Sequence, residues 1–93
     1  MNVLREIGPT RDALRTARAG GKTVGFVPTL GALHAGHRSL FRAARDACDV
    51  VAVSLFLNPT QFAAGEDLDA YPKTEQADLD ACRAEGVDVV FAP

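Results

Sequence analysis

Val50-Val51-Ala52-Val53-Ser54-Leu55-Phe56-Leu57 is a nearly unbroken apolar run rich in β-branched residues. A strand with one wet face alternates apolar and polar positions; this one does not, so both its faces expect cover, as the strands of a parallel sheet do. The flanking sequence agrees. Upstream, His37, Leu40, Phe41, Ala44, Ala47 and Cys48 recur at three- and four-residue spacing. That spacing predicts a helix from about Gly36, with Arg38, Arg42, Arg45 and Asp46 largely toward water. Before it, Thr23 to Pro28 reads as a short strand closed by its proline. A first helix is expected over about Arg11 to Ala19, capped by Thr10 and stopped by Gly20-Gly21. Downstream, a polar stretch from Asn58 to Lys73 leads to Thr74, read as the N-cap of a third helix. That helix carries Glu75 and Asp78 in its first turns, Leu79 and Cys82 on its buried side, and Gly86 past its end. Val87 to Phe91 reads as a last strand. Helices and strands thus alternate, which predicts an α/β fold with a parallel sheet of about three strands and flanking helices. So few elements leave an apolar strand edge uncovered, so the chain is expected to be part of something longer or to be completed by a partner.

Composition narrows the function classes. The 93 residues suit a single domain at most, 47% of them apolar and 24% charged, with a net charge of -2. This balance argues against nucleic acid as a partner. No apolar run approaches the roughly 18 residues of a membrane span, and Met1 to Gly21 lacks the apolar core of an export signal, so a cytoplasmic protein is expected. Cys48 and Cys82 stand apart, with no CxxC spacing, and read as reduced core residues.

The chemistry concentrates in Thr29 to His37, between the first expected strand and its helix. In open parallel sheets, ligands bind beyond the carboxyl ends of the strands. Glycines let backbone approach a ligand, and a helix start offers free N–H groups, so phosphate is the natural occupant. Gly31 and Gly36 have the spacing of the two glycines in a Walker loop, but His37-Arg38 stands where that loop has Lys-Ser/Thr. In their place are His34 and His37, three positions apart, able to face one ligand and to hydrogen-bond phosphate oxygens as charge builds on them. That suits attack at an α-phosphate with pyrophosphate leaving. A zinc site lacks its third and fourth ligands.

Pro28-Thr29-Leu30-Gly31-Ala32-Leu33-His34-Ala35-Gly36-His37, followed by Asn58-Pro59-Thr60-Gln61-Phe62 and Glu66-Asp67-Leu68-Asp69-Ala70-Tyr71-Pro72, resembles the pantoate-β-alanine ligase family over essentially the whole chain. The HxGH element alone marks only a wider nucleotidylyltransferase superfamily; the later motifs narrow it. The resemblance implies a partial Rossmann-like (HUP-type) sheet, the first part of a nucleotide-binding domain whose remainder and C-terminal domain lie outside these residues. It implies ligation of pantoate to β-alanine through a pantoyl adenylate, with ATP as substrate and Mg²⁺ held by contacts beyond this stretch. It further implies an ATP site along Leu30, Gly31, Ala32, Leu33, His34, Ala35, Gly36 and His37, with His34 and His37 as catalytic residues. Pantoate and β-alanine would meet Gln61, Asn58, Pro28 and Thr29; Tyr71, Glu66, Asp67 and Asp69 would lie on a loop that walls the site, with a solvated loop the alternative reading of the acids. A carboxamide such as that of Gln61 also suits a hydroxy acid on its own chemistry, offering donors and an acceptor. Leu30 stands where the family usually has Met, a near-isosteric change. A homodimer is implied, and the 93 residues alone are expected to be inactive. The alternative is a non-catalytic nucleotide-binding or assembly module that keeps only the loop.

Overall fold

A computed structural model describes residues 1–56 and 74–93. Its elements are β1 (Asn2–Leu4), α1 (Ile7–Ala19), β2 (Val24–Thr29), α2 (Ala35–Ala47), β3 (Val50–Leu55), α3 (Glu75–Ala84) and β4 (Val89–Phe91). The strands form one parallel sheet in the order β1-β4-β3-β2. It has four strands rather than three, because Asn2 to Leu4 also pairs, beside β4 with Val3 opposite Val90. Ladder bonds from the Asn2 N–H to the Asp88 carbonyl and from the Ala92 N–H to the Leu4 carbonyl, 2.8 Å each, bracket it.

The first helix also begins earlier than the sequence suggested. Its N-cap is Glu6, not Thr10, and the Thr10 hydroxyl instead donates to the Glu6 carbonyl at 2.7 Å. Gly8 and Pro9 lie in its first turn, where no N–H is needed for the ladder. The last strand is shorter than expected, Val89–Phe91, because Val87 and Asp88 are spent on leaving α3 and meeting β3 through the Asp88 N–H and the Val51 carbonyl.

β3 is covered on both faces, as its unbroken apolar run required. Val51 and Val53 point into a core with Phe41, Leu79, Cys82, Val87, Val90 and Ala92, while the alternate residues Ala52 and Ser54 are buried outside that cluster. α2 packs on β2, β3 and α3, and α1 packs on β1, β2 and β4. Of the expected stripe on α2, Phe41 is fully buried, whereas Leu40 and Ala47 are exposed. Arg38 and Arg45 are half-buried rather than free in water because each has a carboxylate across the fold, Glu85 and Asp88 respectively. At the amino ends of β2 and β3, Asp49 accepts from the N–H and hydroxyl of Thr23 and donates its own N–H back to that hydroxyl. These hydrogen bonds hold the Asp49 carboxyl below its ordinary range.

Thr23, just before β2, and Thr29 at its end direct their carbonyls to β3, accepting from Val50 and Phe56. With a period of two, Val24, Phe26 and Pro28 therefore turn their backbone groups to the outer side of the strand. Pro28 thus sits where a proline costs no ladder bond to β3.

Candidate active site

The carboxyl ends of β2 and β3 are tied by Thr29. It is buried, and its hydroxyl donates to the Ser54 carbonyl at 2.8 Å and accepts from the Gly31 N–H at 3.2 Å. The chain then turns sharply. Gly31 and Ala32 are both left-handed, at φ +85° and +52°, a conformation that glycine takes freely and alanine resists.

Asp78 of α3 supports that turn. One carboxylate oxygen accepts from the Ala32 N–H and the other from the Leu33 N–H, each at 2.9 Å, and the Thr74 hydroxyl donates to it at 3.0 Å. Its side chain is buried, so these donors stand in for water. Sequence reading placed Asp78 only as a favourable acid near a helix start. Nothing in the chain order marks it from Glu75 or Asp80; its role exists only because α3 lies against the loop. The same charge, after burial itself, helps push the Cys82 thiol up to about 11, which makes that cysteine an inert core residue.

After the turn, α2 opens on the two histidines. His34 is the N-cap, its Nδ1 accepting from the Gly36 N–H at 3.0 Å, and His37 returns the favour, its Nδ1 accepting from the His34 N–H at 3.2 Å. This is a capping box, a role normally filled by Ser or Thr with Glu or Gln. Both rings spend Nδ1 as an acceptor, which keeps the ring proton on Nε2 of the neutral imidazole. The centroids lie 4.1 Å apart. Two Nε2–H donors are thus held side by side at a helix N-terminus, where the N–H group of Ala35 has no acceptor among the described residues. Gly36 was expected to clear space for a ligand. A Cβ there would come 2.9 Å from the His34 ring, so the glycine first makes room for the cap.

Burial, and then the neighbouring His34, hold the His37 pKa below its ordinary 6.5, and Asp78 opposes them. The folded chain therefore binds this proton less tightly than the unfolded one. The His37 contribution to stability is intact above pH 6.5 and is lost as pH falls through the lower folded value. A nuclear magnetic resonance titration of the His37 ring is expected to give a midpoint below 6.5; a midpoint at or above it would contradict this environment.

The expected ATP-lining stretch, Leu30 to His37, is thus one continuous passage from strand end to helix start, with Pro28 and Thr29 just before it. Asn58 and Gln61, together with Glu66, Asp67, Asp69 and Tyr71, lie outside the described residues. Among the described residues no three His, Cys, Asp or Glu side chains gather as metal ligands, and no helix is long and apolar enough to cross a membrane.

This is the architecture of a Rossmann-like α/β domain, a parallel sheet whose first long strand feeds a helix through a compact loop. A pantothenate synthetase structure from Thermus thermophilus superimposes on all of this chain with a TM-score of 0.89 at 41% identity, covering 32% of that structure's own chain. A pantoate-β-alanine ligase from Francisella tularensis, complexed with β,γ-ATP and β-alanine, does so with a TM-score of 0.88 at 41%, covering 35% of its chain. The sequence profile of pantoate-β-alanine ligase matches residues 2–93, and the chain belongs to that family. The pantothenate synthetase of Aquifex aeolicus is 53% identical over 91 residues, and that of Acidothermus cellulolyticus 58% over 91. These alignments take in 98% of this chain but 32% and 29% of the relatives, so the chain spans about a third of their length.

Proposed function

We propose that this chain supplies the phosphate-handling side of a pantoate-β-alanine ligase. A carboxylate oxygen of pantoate attacks the α-phosphorus of ATP, the bond to the β-phosphate oxygen breaks, and pyrophosphate leaves. The β-alanine amine then attacks the acyl carbon of the pantoyl adenylate, AMP leaves, and the amine gives up a proton as the amide forms. The observation that carries this reading is the paired capping box of His34 and His37, which presents two Nε2–H donors beside the amides of the helix start. Donors fixed in advance stabilise charge developing on phosphate oxygens without reorganising.

Leu30, Gly31, Ala32, Leu33, Ala35 and Gly36 line the nucleotide in this reading, and Gln61, Asn58, Pro28 and Thr29 face pantoate and β-alanine. The Francisella relative's complex with β,γ-ATP and β-alanine supports both substrates. Mg²⁺ has no fit among the described residues, because the buried carboxylate of Asp78 has both oxygens committed to hydrogen bonds; its contacts belong elsewhere in a family-length protein. The family assignment also underlies a cytoplasmic location and a homodimer.

A family-length enzyme, made by joining this chain to the part of the Aquifex aeolicus relative it does not match, tests the reading. It is expected to release pyrophosphate from ATP only when pantoate is present and to form pantothenate once β-alanine is added. The 93 residues alone are expected to do neither. Pyrophosphate release indifferent to pantoate, or none, would count against the ligase and favour a non-catalytic module.

A further inference from the structure

Successive backbone N–H groups in a turn converge into a concavity that attracts an anion, which is how many phosphate loops work. The turn at Gly31-Ala32-Leu33 has this form, but its anion is part of the chain. The two carboxylate oxygens of Asp78 occupy the Ala32 and Leu33 amides. A phosphate is therefore left to the next donors along the chain, at the start of α2. The space is tight as well: a Cβ at Gly31 would lie 3.2 Å from the Asp78 Oδ2.

We propose that Asp78 is the positioning residue of the histidine pair: by holding two amides of the left-handed turn from α3, it delivers His34 to its cap and, through the capping box, sets His37. The chain of contacts is continuous. Asp78 grips Ala32 and Leu33, Leu33 is followed directly by His34, and the N–H of His34 binds the His37 ring. Without the carboxylate, the left-handed Ala32 loses the one acceptor that its half-buried amide has among the described residues. The turn then relaxes and carries the histidines with it. The catalytic consequence rests on the ligase reading above; the structural one does not.

Asp78→Asn preserves shape but replaces one acceptor by an NH₂ donor, so it cannot serve both amides. In the 93-residue chain, hydrogen exchange at the Ala32 and Leu33 amides is expected to quicken about ten-fold or more, while Val51 and Val53 in β3 keep their rates. In the family-length enzyme, kcat for pantoate-dependent pyrophosphate release is expected to fall about 100-fold with KM for ATP nearly unchanged, as for a misplaced catalytic group. Thr74→Val, which removes only the third hydrogen bond to Asp78, gives a smaller change in the same direction at the same two amides and covers the case in which Asp78→Asn does not fold. Unchanged exchange at Ala32 and Leu33 in these variants would overturn the proposal, and so would freed amides with a kcat within about three-fold of the parent. A parent enzyme that releases no pyrophosphate would refute the ligase reading instead, and the exchange rates would still decide whether Asp78 holds the turn.

Discussion

His37→Ala in the family-length enzyme is expected to lower pantoate-dependent pyrophosphate release by about 10²–10³-fold, the range seen when one preorganised donor to a developing oxyanion is removed, or about 2.7–4 kcal/mol of transition-state stabilisation. Two losses are folded into that variant. The ring's Nε2–H disappears from the site, and the His34 N–H loses its acceptor in the capping box. His37→Gln separates them, because glutamine is the residue an ordinary capping box places there. It restores the acceptor and the thermal stability but has no imidazole. Glutamine is therefore expected to remain as inactive as alanine while melting close to the parent. Activity recovered by glutamine would mean that His37 serves the helix rather than the substrate.

Phe41→Ala is expected to cost the isolated chain about 3–5 kcal/mol, the usual range for a fully buried aromatic. Phe41 is 0% exposed, and it packs in the cluster that joins α2 to β3 and α3 through Val51, Val53, Leu79 and Cys82. Domains of this size are stable by only about 5–15 kcal/mol, so the loss takes a large share of the whole. Phe41 also stands one turn beyond His37 on the same side of α2, and it anchors the helix whose first turn carries the site. Urea unfolding followed by circular dichroism checks the outcome. A midpoint that barely moves would show that the core closes around the missing ring.

The parts of this fold that announced themselves in the sequence did so through local, repeated signals. β3 declared its two covered faces by lacking alternation, and α2 and α3 declared themselves by spacing and by their flanking glycine and threonine. β1 carried no such signal. Asn2 to Leu4 is too short for any period, and its partner, Val89 to Phe91, lies at the other end of the chain. The early start of α1 was hidden by Gly8-Pro9, whose meaning depends on whether the first turn has already begun. At the site, two histidines around a glycine drew attention because that combination is chemically unusual. That both serve as helix caps was not legible, because a histidine ring becomes an acceptor only in a particular backbone geometry. Asp78 was the least legible, one acid among several, distinguished only by the loop packed against it.

Pro28 sets a rule for whatever lies beside β2. The outer side of that strand offers backbone donors at Val24 and Phe26 but none at Pro28. A neighbouring strand could therefore bond along the first part of β2 but would find no donor at Pro28, just before the loop. That gap lies next to Thr29, where the passage to His34 and His37 begins. One missing hydrogen thus leaves the edge of the sheet without a ladder bond right where the candidate site begins.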